Sequence, residues 1–169
     1  MEKGDPDIME RPPRPKSEPI VHSSMRLGMI VQTIAQTSAV LTAFILGLLW
    51  TLEANGIIPE GVSRFSYLFQ DVWGEVDIMT AQTMAYVTLS LCELFRAYTV
   101  RSERTSLLRL GIFSNKYMQY AVAFSLVLLL LVVNVPFLQP IFNTHFLNGP
   151  EWAIVIGLGL NPASAEEIT

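Results

Sequence analysis

Four long apolar stretches alternate with short charged segments along the chain. Residues 27–52 contain no charged side chain, and residues 117–150 contain none besides His145, which is ionisable near neutrality. Runs of about 18 or more apolar residues are long enough to cross a membrane as a helix. The pattern predicts an all-α membrane protein, a bundle of four transmembrane helices, with spans at about 26–52, 77–98, 117–135 and 150–168.

The third and fourth predicted spans differ in strength. Eleven residues between Val122 and Val135 are Leu, Val or Phe, and on the insertion scale they sum to about −3 to −7 kcal/mol. The fourth span is interrupted by Asn161 and Pro162 and is followed by Glu166 and Glu167. We expect the third span to insert unaided and the fourth to depend on neighbouring helices.

Composition excludes several classes of protein. Of the 169 residues, 51% are apolar and 15% are charged, against about 25% charged in soluble domains. The one cysteine, Cys92, leaves no internal disulfide and no thiolate metal cluster, and the net charge of −4 speaks against a nucleic-acid partner. Phosphate-binding, dinucleotide-binding and catalytic-triad motifs are also missing. We therefore expect no catalytic residue and no cofactor-binding residue in this chain.

Basic residues define the expected orientation. Of the 11 lysines and arginines, all but Arg64 precede the first span or lie in or beside the connection between the second and third spans. Because such residues concentrate in cytoplasmic loops, both termini are predicted to be cytoplasmic. Residues 1–22, rich in proline and charge, are predicted to form a cytoplasmic arm. The chain is expected in the lipid bilayer of the plasma (inner) membrane.

Small side chains recur every four residues in the first span. Ala35, Ala39, Ala43 and Gly47 would lie on one face of a helix. Small residues let two membrane helices approach closely, so this face is predicted to pack against another helix.

Glu93 is the residue with the clearest potential for chemistry. It lies inside a span that is otherwise uncharged, where an acid is costly unless it is protonated, paired or bound to a cation. At helical spacing it shares a face with Gln82, Tyr86 and Ser90, a polar stripe expected within the bundle. Two interpretations remain open from spacing alone: Glu93 is a cation or proton ligand, or it forms an ion pair with Arg96.

A calcium ion needs six to eight oxygen ligands, of which Glu93 supplies at most two. If Glu93 binds a cation, the remaining ligands must come from helices outside this sequence. The chain alone is not expected to hold a tight calcium site.

Several segments, in order, resemble the C-terminal membrane region of P-type cation-transporting ATPases of the calcium-pump branch. The similar segments are DPDIMERPPRP at 5–15, TAQTMAY at 80–86, SLLRLGIFSNKYM at 106–118, VPFLQPIFNT at 135–144 and EWAIVIGLGLNPASAEEI at 151–168. The resemblance implies that residues 23–169 are the C-terminal membrane domain of such a pump, and that the four spans correspond to its seventh to tenth helices.

The resemblance also implies roles for individual residues. Glu93 falls where calcium pumps of the sarcoplasmic-reticulum type have a glutamate that contributes to one calcium site. The face from Ala35 to Gly47 resembles the seventh-helix surface that packs on the fifth helix. The remaining membrane helices and the cytoplasmic domains of the pump are the expected partners, and ATP and magnesium would bind in those missing parts.

Two alternatives come from other functional classes. The chain is either a non-catalytic membrane subunit that packs on other helices, or a small oligomeric transporter in which Glu93 couples transport to a proton or cation. The phosphorylated aspartate motif and the nucleotide domain of the pumps are absent from this sequence. By itself the chain is therefore not expected to be an active enzyme.

Overall fold

The computed structural model describes residues 23–56, 77–99 and 115–168, and all the regular structure in these ranges is helical. In chain order the helices are α1 (Ser23–Ala54), α2 (Met79–Thr99), α3 (Lys116–Asn134), α4 (Gln139–Phe142) and α5 (Gly149–Ile168). The four long helices each overlap one of the predicted spans. The predicted arm at 1–22, Arg64 and most of the basic connection between α2 and α3 lie outside the described residues.

Two of the helices, α1 and α3, are long and apolar enough to cross a membrane by length and composition. The 19 residues of α3 correspond to roughly 28 Å, close to the thickness of about 30 Å of a bilayer's hydrocarbon core. The 32 residues of α1 correspond to roughly 48 Å, so α1 is tilted or extends beyond the core. The fold is that of an all-α membrane protein.

Side-chain oxygens satisfy backbone donors where α2 and α3 begin. The Asp77 carboxylate accepts a hydrogen bond from the Met79 backbone N–H at the start of α2. The Asn115 side chain accepts from the N–H groups of Tyr117 and Met118 at the start of α3. Because the first N–H groups of a helix have no partner within it, these caps mark where each helix starts.

Helices α1, α2 and α5 pack against one another, and α3 contacts the outside of α2. The two helices α2 and α5 run parallel, and α1 runs antiparallel to both. Between them lies one core of buried apolar residues, which α3 and the segment before α5 also enter: Ala43, Met84, Val87, Leu91, Leu129, Val133, Leu147 and Val155. The packed unit is thus a three-helix bundle with a fourth helix on its side.

Two glycines lie where helices approach most closely. A Cβ added at Gly47 would lie 2.8 Å from the Ala81 Cα and 2.9 Å from the Met84 Sδ, both on α2. A Cβ added at Gly159 of α5 would lie 2.9 Å from the Leu91 Cβ. All three separations are shorter than carbon–carbon or carbon–sulfur contacts allow, so only glycine fits at these two crossings.

The small-residue face of α1 lies largely inside the chain's own bundle. Ala39 and Ala43 are buried, Gly47 is buried against α2, and Ala35 is half-buried. Ala43 belongs to the core shared with α2 and α5. Whether any part of this face also contacts a helix outside the chain stays a prediction.

Helix α3 is attached by fewer interactions than the other long helices. The Tyr98 hydroxyl of α2 donates a hydrogen bond to the Gln119 Oε1 of α3 over 3.0 Å. Leu129, Val132 and Val133 are its buried residues. The rest of its surface exposes large apolar side chains: Tyr117, Tyr120, Phe124, Leu126, Val127, Leu128, Leu130 and Leu131. This is the surface expected of a helix on the periphery of a membrane protein.

The close crossing at Gly47 predicts the effect of adding one methyl group there. Gly47→Ala pushes α1 away from the α2 backbone, and overpacking of this kind costs about 1–3 kcal/mol. We expect the free energy of unfolding in mixed detergent micelles to fall by that amount. Gly28→Ala is the matched control on the same helix, because a Cβ there meets nothing within 4 Å. Equal stability of the two variants would contradict the close approach of α1 and α2 at Gly47.

Candidate functional site

Glu93 lies on α2, roughly 9 Å along the helix before it ends at Thr99. The Gln36 side chain of α1 donates a hydrogen bond from Nε2 to the Glu93 Oε1 over 2.7 Å. In the described part of the chain no other group is hydrogen-bonded to this carboxylate, which leaves Oε2 available. The pair joins α1 and α2 across their antiparallel contact.

Gln36 reaches Glu93 because of its register on α1. Gln32, Gln36, Ala39 and Ala43 follow one another at intervals of three or four residues, and so lie on one face of the helix. That face turns toward α2 and α5, and near the start of α1 it meets the last turns of α2. Sequence reasoning missed Gln36, although two glutamines one turn apart in an uncharged span were a visible signal.

A second polar group of α1 is buried without a partner. Gln32 is only 4% exposed, and among the described residues none donates a hydrogen bond to its Oε1. The hydroxyl oxygen of Thr88, in the middle of α2, is also buried and unpartnered. Unsatisfied groups of this kind are costly in a low-dielectric interior. The side-chain amide oxygen of Gln32 can therefore accept a hydrogen bond, and it lies about one helical turn from the Gln36–Glu93 pair.

Glu93 and Arg96 do not form the ion pair that the sequence left open as an alternative. No nitrogen of Arg96 lies within 4.0 Å of a Glu93 oxygen in the part of the chain that is described, and the partner is the neutral Gln36. The two residues are three positions apart on α2, but spacing along one helix does not reveal a partner on the neighbouring helix.

The polar stripe of α2 lies on the surface of the bundle, contrary to the sequence-based expectation of an interior position. Gln82, Tyr86 and Glu93 are exposed, and Ser90 is half-buried with its hydroxyl donating to the Tyr86 carbonyl oxygen. The opposite side of α2 supplies the buried residues: Ala81, Thr83, Met84, Val87, Thr88, Leu91 and Cys92. The chain thus presents its one mid-span acid outward.

The site provides few ligands for a metal ion. Among the described residues, no group of three or more His, Cys, Asp or Glu side chains lies close enough to hold a metal. Glu93 offers two oxygens, and rotation of the Gln36 amide would offer a third, whereas calcium takes six to eight. These residues form part of a cation site at most.

Two other titratable side chains, those of Glu151 and His145, lie at the other end of the bundle from Glu93. Glu151 is buried at the start of α5, where its Oε2 accepts a hydrogen bond from the Asn148 backbone N–H over 2.6 Å. His145 lies at that same end of the bundle, and its backbone N–H donates to the Thr83 hydroxyl. Both residues serve the local structure there. His22 lies outside the described residues.

Comparison with known proteins identifies similar chains along nearly the whole sequence. The family described as "Cation transporting ATPase, C-terminus" matches residues 1–169. Calcium-transporting ATPase 1 of Bacillus cereus is 29% identical over 164 residues, which is 97% of this chain but 18% of that protein. Calcium-transporting ATPase of Bacillus subtilis is 30% identical over 162 residues, 96% of this chain and 16% of that protein.

An animal protein gives a similar match. Calcium-transporting ATPase type 2C member 1 of Mus musculus is 27% identical over 169 residues, 99% of this chain and 16% of that protein. The chain thus spans less than a fifth of the length of these relatives.

The hydrogen bond between Gln36 and Glu93 predicts a measurable coupling between α1 and α2. Methionine is close in length to both side chains and lacks their polar atoms, so Gln36→Met, Glu93→Met and the double variant form a double-mutant cycle. Interhelical hydrogen bonds in membrane proteins contribute about 0.6 kcal/mol on average and up to about 1.7. We expect a coupling energy in that range from unfolding in mixed micelles.

The matched control is the same cycle with Thr37→Met in place of Gln36→Met. Thr37 is the next residue of α1 and is exposed. A coupling energy for Gln36 no larger than that for Thr37 would show that the hydrogen bond does not join the helices.

Proposed function

Since the chain belongs to the cation-transporting ATPases, as their C-terminal membrane region, we propose that it supports the ion-translocating helices of a calcium pump and contributes Glu93 to one cation site. The observation that carries the proposal is the outward position of this carboxylate. Glu93 is exposed on the surface of the three-helix bundle, and its one partner among the described residues is a neutral amide. A charged group in that position requires a polar or protein environment, because contact with lipid hydrocarbon would be costly.

In this proposal, helices from outside this chain pack over the polar stripe of α2. Intramembrane acids nearly always face the interior of a helix bundle or a water-filled cavity. If the stripe of Gln82, Tyr86, Ser90 and Glu93 faces the other helices of the pump, Glu93 lies inside the complete bundle while remaining on the surface of this part.

The Gln36–Glu93 pair is well suited to holding the carboxylate before an ion arrives. The amide donates to Oε1 and so restricts the orientation of the side chain, while Oε2 stays available. The Gln36 side chain also has an oxygen, which faces a cation if the amide rotates. The remaining ligands would come from the helices that precede this region in the pump.

The proposed supporting role follows from the packing of α1, α2 and α5. Glycines at two of their crossings keep these helices close, so the surface that carries Glu93 is backed by a tightly packed unit. The phosphorylation and nucleotide-binding steps are assigned to the rest of the pump. We place the region in the plasma membrane, with both of its termini cytoplasmic.

The ligand role of Glu93 predicts the effect of removing its charge. In the complete pump, Glu93→Gln keeps the size and the hydrogen bond but lowers the charge at the site. We expect the calcium concentration for half-maximal phosphorylation by ATP to rise on the order of tenfold, which corresponds to about 1.4 kcal/mol. Arg96→Gln, which changes a nearby charge without touching the pair, is expected to leave that concentration unchanged. Calcium dependence unaltered by Glu93→Gln would refute the ligand role.

The proposed orientation predicts which positions react with an impermeant thiol reagent. Asn55 follows α1 and Lys116 begins α3, and both are exposed at opposite ends of the bundle. In a background with the buried Cys92 replaced by alanine, a cysteine at Asn55 should be labelled on intact cells. A cysteine at Lys116 should be labelled only after the cells are permeabilised. The reverse pattern would invert the orientation.

A further inference from the structure

The segment that joins α3 to α5, residues 135–148, is unusual for a connection at the end of a helix bundle. It contains no Asp, Glu, Lys or Arg. It consists of a turn after Val135, the short helix α4 and an extended stretch that leads into α5. Asn143 ends α4 in the left-handed conformation, with φ at 55°. Connections in water commonly carry Asp, Glu, Lys or Arg, so the lack of these residues indicates another environment.

Large apolar side chains of this segment are exposed. Phe137 is 77% exposed, Ile141 65%, Phe142 53% and Phe146 52%. They lie next to the end of α3, whose own exposed surface is apolar over most of its length. The apolar surface therefore continues from the helix into the connection. Exposed apolar patches of this size mark a contact with a membrane or with another protein.

Most backbone N–H groups of the segment are hydrogen-bonded within the protein. A loop in water does not need this, because water can accept those hydrogen bonds. Pro136 and Pro140 have no N–H to donate. Most of the other N–H groups donate to protein acceptors: those of Val135, Leu138, Gln139, Ile141, Phe142, Asn143, Thr144, His145 and Asn148. In hydrocarbon each unpaired backbone group is costly, so non-helical chain at membrane depth must pair its donors internally.

The carbonyl groups at the end of α3 are satisfied in the same way. The Thr144 hydroxyl donates to the Val132 carbonyl oxygen, and the Gln139 amide donates to that of Val133. The Val135 N–H donates to the Leu131 carbonyl oxygen. The last carbonyls of a helix normally bind water, a cap or a ligand. Here side chains of the connection bind them and so remove the need for water.

We propose that residues 135–148 form a lipid-contacting element at this end of the bundle, with Phe137, Ile141, Phe142 and Phe146 inserted among the acyl chains near the membrane surface. The length of α3 places the segment at the edge of the hydrocarbon core, because the helix alone is about as long as that core is thick. The inserted side chains are phenylalanine and isoleucine, which have no polar atom to present to a protein partner. The residues that contribute most binding energy at protein interfaces are instead enriched in Trp, Tyr and Arg.

Site-directed spin labelling of the full chain in phosphatidylcholine vesicles tests this element directly. Nitroxide labels are attached to Phe137→Cys and Phe142→Cys in a background with Cys92→Ala. Power saturation then compares collisions with oxygen, which concentrates in lipid, and with a water-soluble nickel complex. We expect oxygen collisions to exceed nickel collisions at both positions.

Two labels on the same chain serve as controls. Leu128→Cys, on the exposed apolar surface of α3, reports lipid, and Asn55→Cys, in the turn after α1, reports water. These two readings also establish that the chain is inserted in the shared Cys92→Ala background. With the controls as expected, nickel collisions above oxygen collisions at Phe137 and Phe142 would place the segment in water and overturn the proposal. Low accessibility to both reagents would indicate a protein cover and overturn it as well.

Discussion

The absence of water inside a bilayer is the constraint on which the rest of this structure depends. Backbone polar groups at membrane depth must find their partners within the protein, and most polar side chains do the same. The hydroxyls of Thr33, Ser38 and Thr42 on α1 accordingly donate to carbonyl oxygens of their own helix. Where a helix ends, side chains donate hydrogen bonds to its last carbonyl oxygens, as Thr144 and Gln139 do at the end of α3. The Gln36–Glu93 pair follows the same rule for a carboxylate.

The same constraint determines how the helices associate. Between membrane helices the hydrophobic effect is weak, because lipid chains are as apolar as leucine, so close packing of small residues has to contribute more. Gly47 and Gly159 let α2 approach α1 and α5 to within van der Waals contact of the backbone. Helix α3 contacts α2 through the Tyr98–Gln119 hydrogen bond, has few buried residues and stays at the periphery. The packed unit therefore consists of α1, α2 and α5, with Glu93 on its surface.

The sequence predicted the helices well and the arrangement around Glu93 poorly. The third span, expected at 117–135, is α3 at Lys116–Asn134, because an uninterrupted apolar run has few alternative structures. Periodicity also identified the residues that share a face with Glu93. It did not reveal whether that face points into or out of the bundle, because this depends on the order of three helices in space. The partner of Glu93 was missed for the same reason, since Gln36 lies 57 residues away along the chain.

A structure of the complete pump with calcium bound would test the central claim most directly. In the proposed arrangement the preceding helices of the pump cover the exposed stripe of α2, and Glu93 contributes to a cation site there. We therefore expect a calcium ion with a Glu93 oxygen at about 2.3–2.6 Å, the distance range of calcium–oxygen ligands, and Gln36 beside it. Density that shows Glu93 facing lipid, or separated from every bound ion by other side chains, would contradict the account.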